Sequence, residues 1–261
     1  MHCCWSASVS GWASRRKATI LLLMSVVFFV LSAGHAAAQG QKRYSRSYPA
    51  GQTVRLELYN RNGFVTVEGW NRAEVNITAT LEAPAAVVFP QSLSGKIVIN
   101  MLKDNAGRGD VGNVNFYVRV PYYTAVDIET LVGNLNISNI RSSMVRARVS
   151  SEGDITLTNI VASGVLAENT MGNILFDGEL MENGSYRIAS MKGDISIRIP
   201  IPSSFKLVAT APSTRSINLG AFNGGSMHPL GDGRRIIGQA GDGSASLQIT
   251  NQRGAIQFLP R

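Results

Sequence analysis

Gly133-Asn134-Leu135-Asn136-Ile137, Gly153-Asp154-Ile155-Thr156-Leu157, Gly172-Asn173-Ile174-Leu175-Phe176 and Gly193-Asp194-Ile195-Ser196-Ile197 follow one another at steps of 20, 19 and 21 residues. Two further copies lie outside this run, Gly63-Phe64-Val65-Thr66-Val67 and Gly254-Ala255-Ile256-Gln257-Phe258. After each glycine the apolar residues alternate, the period at which a β-strand sets side chains on one face. Before five of the six glycines stands a second alternating pair: Leu56 and Leu58, Val126 and Ile128, Val165 and Ala167, Tyr186 and Ile188, Leu247 and Ile249. Before Gly153 the corresponding positions hold Arg146 and Arg148, and the apolar set slips to Val145, Ala147 and Val149. That slip reads as a turn shortened by one residue.

Each unit is therefore strand, corner, strand, with the glycine supplying the backbone freedom or close approach of the corner. A single unit cannot bury its apolar face, but units stacked about 4.8 Å apart bring like positions into a continuous core. The expected fold is all-β, a β-helix-like solenoid with coils of about 20 residues. Its corners are Gly63, Gly133, Gly153, Gly172, Gly193 and Gly254. Leu135, Ile155, Ile174 and Ile195 form one inward column, with Ile137, Leu157, Phe176 and Ile197 beside it. A helical reading fails, because no apolar stripe at i, i+3, i+4, i+7 persists beyond about two turns after residue 38.

Outward from the repeats the pattern loosens. Residues 44–120 read as antiparallel-like strands, with a turn at Trp70-Asn71-Arg72 and a polar loop over 103–112, and the regular repeats occupy 121–200. Eight glycines between Gly220 and Gly243 mark a long loop or an irregular hairpin. No Pro- or Ser-rich linker divides 39–261, which is read as one domain.

The first 38 residues read as a secretion signal. Arg15, Arg16 and Lys17 precede an uncharged run over 18–33, and Ala36-Ala37-Ala38 offers small residues for cleavage, so the mature chain starts at Gln39. An uncleaved anchor is the alternative, since the run approaches the roughly 20 residues of a span. Gly34 and the small residues that follow favour cleavage, which leaves no membrane span in the mature chain. Cys3 and Cys4 both fall in the leader, so neither a disulfide nor a thiolate metal site is expected after it. With three of 25 basic residues in the leader, 22 face 17 acidic ones, a net of +5. These charges are scattered singly, without the basic block of a nucleic-acid arm.

Asn62-Gly63-Phe64-Val65-Thr66-Val67-Glu68-Gly69-Trp70, the repeated Gly-Asp/Asn-Ile steps and the closing Leu247-Gln248-Ile249-Thr250-Asn251-Gln252-Arg253-Gly254-Ala255-Ile256 resemble the bacterial "putative adhesin" family of β-strand repeats, an exported domain of unknown function. The resemblance covers residues 44–258. It implies a right-handed β-helix-like fold and a location in the envelope, periplasmic or at the cell surface, and no established activity.

Candidate chemistry is sparse. Asn134, Asp154, Asn173 and Asp194 would stack into a polar column beside the corners, the arrangement from which an enzyme could draw acids or a calcium site. Asn and Asp after Gly are also ordinary corner residues that bond local backbone, and that reading is preferred. His228 is the one histidine after the leader, so no multi-histidine metal site can form. Arg108-Gly109-Asp110, the sequons at Asn76, Asn136 and Asn183, and the Arg234-Arg235 pair read as incidental surface features. Tyr122, Tyr123 and Phe222 are candidate exposed aromatics for stacking on sugars, although alternation favours a split of Tyr122 and Tyr123 between core and surface. The expected function is a non-catalytic structural or binding module of the envelope, possessing no cofactor, whose partner is an envelope polymer or protein. A β-helical polysaccharide lyase or hydrolase is the alternative.

Overall fold

Strands alternate with glycine corners through most of the chain, as the period-two pattern requires. The computed structural model describes residues 41–51, 53–224 and 226–261. The expected signal segment, 1–38, lies outside the described residues. Among the latter are eighteen strands: β1 (Lys42–Pro49), β2 (Arg55–Asn62), β3 (Val65–Trp70), β4 (Glu74–Leu81), β5 (Gln91–Leu93), β6 (Lys96–Asn100), β7 (Val114–Pro121), β8 (Ala125–Val132), β9 (Leu135–Glu152), β10 (Ile155–Met171), β11 (Ile174–Lys192), β12 (Ile195–Ile199), β13 (Phe205–Thr210), β14 (Ile217–Asn218), β15 (Met227–Pro229), β16 (Arg235–Ala240), β17 (Ala245–Asn251) and β18 (Ile256–Pro260). One helical turn, α1 (Met101–Asp104), and two 3-10 turns complete the list. The fold is all-β and solenoid-like.

The long strands β9, β10 and β11 each bend midway and contribute to two parallel ladders. In the first ladder Val65, Leu135, Ile155, Ile174, Ile195 and Ile256 pair in succession, with Val67, Ile137, Leu157, Phe176, Ile197 and Phe258 two residues on. In the second, Leu56, Val126, Val145, Val165, Tyr186 and Leu247 are aligned. All of these side chains are buried and belong to one core cluster.

The bends have their own residues. Asn139 and Asn159 adopt left-handed φ values of 58° and 54°, which Asn tolerates better than other non-glycine residues. Their side chains stack, Asn159 Nδ2 donating to Asn139 Oδ1 at 2.9 Å. On β11, Asn159 has no counterpart and Gly178 follows directly. There the chain instead gains length after the bend, around Asn183 with φ 57°. Tyr186 secures this longer bend: its buried hydroxyl donates to Ala162 O at 2.6 Å and accepts from Met181 N–H at 2.7 Å.

The slip before Gly153 is an insertion, not the shortened turn the sequence suggests. Thr130 and Val132 oppose Val149 and Glu152, and Asn169 and Met171 oppose the same pair. One extra residue bulges from β9, which returns Val145, Ala147 and Val149 to the core despite their offset.

Pairing in residues 44–120 is mixed. β1–β4, β4–β7 and β5–β6 are antiparallel, but β2 and β3 lie in the parallel stack between β6 or β7 outside and β8 or β9 inside. The other end repeats this device. β17 fits between β11 and β13, and β18 between β12 and β14. The glycine-rich segment is an irregular hairpin, β15 antiparallel to β16, with β16 laid on β13.

Candidate ligand-binding face

The six corner glycines form one column in the order 63, 133, 153, 172, 193, 254. At Gly153, φ is +147° and a Cβ would strike the carbonyl oxygen of Gly133; the same collision recurs from each corner to the one before it. Both positive φ and close approach therefore demand glycine here.

The residue after each corner knits neighbouring coils. Asp154 N–H donates to Asn134 Oδ1 at 2.9 Å, Asn173 N–H to Asp154 Oδ1 at 2.7 Å, Asp194 N–H to Asn173 Oδ1 at 2.9 Å, and Ala255 N–H to Asp194 Oδ1 at 2.8 Å. One acceptor oxygen is all this geometry needs, so Asp and Asn interchange along the column. The column therefore acts as backbone stitching, and its two acids do not converge.

A second polar column, unanticipated from the sequence, stands three residues before the corners. Asn169 Nδ2 donates to Gly153 O at 2.7 Å, and Asn251 Nδ2 to Gly193 O at 2.8 Å and Ala255 O at 3.1 Å. Asn60 reaches Asn62 O and Val114 O, and Thr130 Oγ1 reaches Val132 O. These buried side chains give donors to Gly153 O and Gly193 O and add a second one to Val132 O and Ala255 O, which also accept the Gly63 and Ile195 N–H groups. The signal was available in part: positions 60, 130, 169, 190 and 251 are all polar, while on β9 the bulge brings Val149 into the row.

Charge gathers on the outer face of the second ladder. Glu57, Asp127, Arg146, Leu166, Arg187 and Gln248 occupy one row across successive strands. Glu57 pairs with Arg55 Nε at 3.0 Å and Lys96 Nζ at 2.7 Å; Asp127 pairs with Arg55 Nη2 at 3.0 Å and Arg146 Nη1 at 3.6 Å. Both carboxylates are thus neutralised by cations in a half-buried network. Arg187, exposed one step beyond Leu166, has no ion pair among the described residues. A groove of about 430 Å3 runs along this row, lined by Arg55, Asp127, Met144, Arg146, Leu166 and Arg187 over Gly164. Arg146 and Arg148, which interrupt the apolar count in the sequence, belong to this face.

A family model described as Toastrack DUF4097 matches residues 35–257. The chain belongs to the Toastrack DUF4097 family. No curated protein matches it. Among solved structures, a putative cell adhesion protein from Clostridium sporogenes is 13% identical, covering 85% of this chain and 100% of its own, with a TM-score of 0.50. A putative adhesin from Bacteroides fragilis is 9% identical, covering 85% of this chain and 99% of its own, with a TM-score of 0.40. At such identities the first likeness speaks for the fold alone.

On the Toastrack frame the remaining sequence candidates are dispersed. Phe222, expected exposed, is buried against Phe205 and Phe258, with ring centroids 5.2 and 5.7 Å away, and plugs the C-terminal end of the core. Tyr122 is exposed, whereas Tyr123 is half-buried and donates to Gly51 O at 3.0 Å. His228 is exposed on β15, opposite Ile237. Arg108 and Asp110 are exposed on the segment between α1 and β7, and neither lines the groove. Asp232 accepts the Arg234 N–H and pairs with the Arg235 side chain, which together hold its carboxyl below the usual range. Arg235 is thereby engaged locally. Among the described residues no group of three or more His, Cys, Asp or Glu side chains could hold a metal ion, and no helix is long and apolar enough to cross a membrane.

Proposed function

We propose that this protein is an exported, adhesin-like, non-catalytic binding module of the bacterial cell envelope, acting in the periplasm or at the cell surface. Its framework is a right-handed β-solenoid carried by the corner glycines and by the Leu135–Ile195 inward column, and parallel crossovers favour that hand. The observation that carries the reading is the use of the corner acids. Asp154 and Asp194 each give an oxygen to a neighbouring backbone N–H, which is scaffold chemistry. What remains outward is a groove edged by arginines, which suits recognition.

A second reading, a β-helical polysaccharide lyase or hydrolase, draws support from Glu57 and Asp127 meeting Arg55, Lys96 and Arg146 on one sheet face. The two separate in a turnover assay on anionic polysaccharides with wild type, the Asp154→Ala/Asp194→Ala double variant and the Glu57→Gln/Asp127→Asn double variant. The binding-module reading expects no cleavage by any of the three. Cleavage by wild type that either pair of substitutions abolishes would replace it with the enzyme.

A further inference from the structure

Gly164 lies inside β10, in the row Met144, Gly164, Ser185, and nothing in the backbone requires a glycine there. A Cβ at this position would meet Ser143 O at 3.4 Å and the Met144 terminal methyl at 4.0 Å, ordinary contacts, and φ is not left-handed. Glycine within a strand weakens it and commonly marks close approach by another group. The row beside it is equally unusual. Leu166 points outward and half-exposed where the flanking positions hold Arg146 and Arg187. The result is an apolar floor with a notch, between two arginines whose backbones stand two strand spacings apart, about 10 Å, with the Arg146 guanidinium turned to Asp127 on the neighbouring β8.

We propose that this groove binds an acidic polysaccharide, with Arg146 and Arg187 receiving carboxylates of a uronate-bearing chain and one sugar ring seated over Gly164 and Leu166. The inference rests on the binding-module reading and names its ligand class. Arginine matches a carboxylate in two parallel hydrogen bonds, and the C–H face of a pyranose suits the Leu166 and Met144 surface. Carboxylates on alternate sugars of an extended chain recur at a distance comparable to the two strand spacings between the arginine backbones, and the long side chains cover the remaining mismatch. A peptide fits less well, because a sheet face offers no free backbone donors or acceptors to its amides. An acyl chain fits less well again, because the groove is open along its length and would leave the chain half wet.

Tetragalacturonate, its methyl ester, tetraglutamate and anionic phospholipid vesicles are the probes, and binding is read by calorimetry. The acid should bind, the ester at least tenfold more weakly, and the peptide and vesicles should not compete. Arg146→Gln/Arg187→Gln and Gly164→Phe should each weaken tetragalacturonate at least tenfold, the size expected for charge-assisted bonds, while circular dichroism shows each variant still cooperatively folded. Arg253→Gln, a cation on the corner side, should change nothing. The proposal falls if Arg253→Gln weakens binding as much, if the ester binds equally, or if tetraglutamate or vesicles displace the sugar. Binding of isolated envelope material that ignores the groove variants would sink the groove assignment and leave the module standing. No binding of envelope material at all would sink both.

Discussion

From Ala125 to Ile199 the chain stacks its coils in the order of the sequence, whereas at both ends it slots a coil between two others. β2 and β3 are enclosed by strands that come later, and β17 and β18 separate β11 and β12 from β13 and β14. The middle is held by near-neighbour repeats, the ends by contacts far apart in sequence. The difference concerns open edges, since a parallel ladder of identical rungs would offer its last rung to another chain. Here the outermost strands are unlike the rungs they cover. β1 carries Lys42, Arg43 and Arg46, β5 and β15 have three residues each, and β14 has two.

The sharpest way to break this contrast is one substitution made in both places. Ile174→Asp sets an unpaired carboxylate between coils in the middle of the stack. That costs several kcal/mol against a total of about 5–15, and circular dichroism should show no cooperative unfolding. Ile217→Asp changes the same column at its last rung, where Ile217 is 8% exposed. It should leave a folded protein with a lowered melting temperature. Equal effects would mean that the ends are as integral as the middle.

Phe258→Ala tests the inserted coil. Although near the end of the sequence, Phe258 is buried, stacked on Phe205 at 6.2 Å and edge-on to Phe222. Truncating it should cost about 3–5 kcal/mol in denaturant unfolding, as for a ring in the centre of a core. A loss below about 1 kcal/mol would show that β18 frays like an ordinary terminus.

The next effect is smaller. Asn251→Ala removes the side chain bonded to Gly193 O and Ala255 O, at the seam between the regular run and the inserted coil. A cost of about 1–3 kcal/mol is expected, and a similar one for Asn169→Ala inside the run. A markedly larger loss at Asn251 would place the weak point of the stack at the seam.

Inward positions were legible in the sequence because burial constrains them. Leu135, Ile155, Ile174 and Ile195 must all be apolar, so the period survives. Outward positions carry no such pressure, and Asp127, Arg146, Leu166 and Arg187 share the same period but span an acid, two bases and an apolar residue. The groove is therefore invisible until the register is known. The order of the end coils was hidden for another reason. Gly254 follows Gly193 in space as a linear reading would place it, but the strands between them lie further out, and closing a longer loop adds little free energy. The bulge before Gly153 deceived because a one-residue gain and a one-residue loss produce the same slip in alternation.

The smallest expected effect lies at the corners, where two adjacent residues answer to different demands. Gly153→Ala brings a Cβ against Gly133 O at a φ of +147°, and should lower stability by about 1–3 kcal/mol. Asp154→Asn keeps an oxygen for the Asn173 N–H, and should change stability by no more than about 0.5 kcal/mol between pH 5 and 8. Were Asp154→Asn instead to cost as much as its neighbour, the carboxylate would be serving something other than the next coil's backbone. The acids of the corner column would then return as candidates for chemistry.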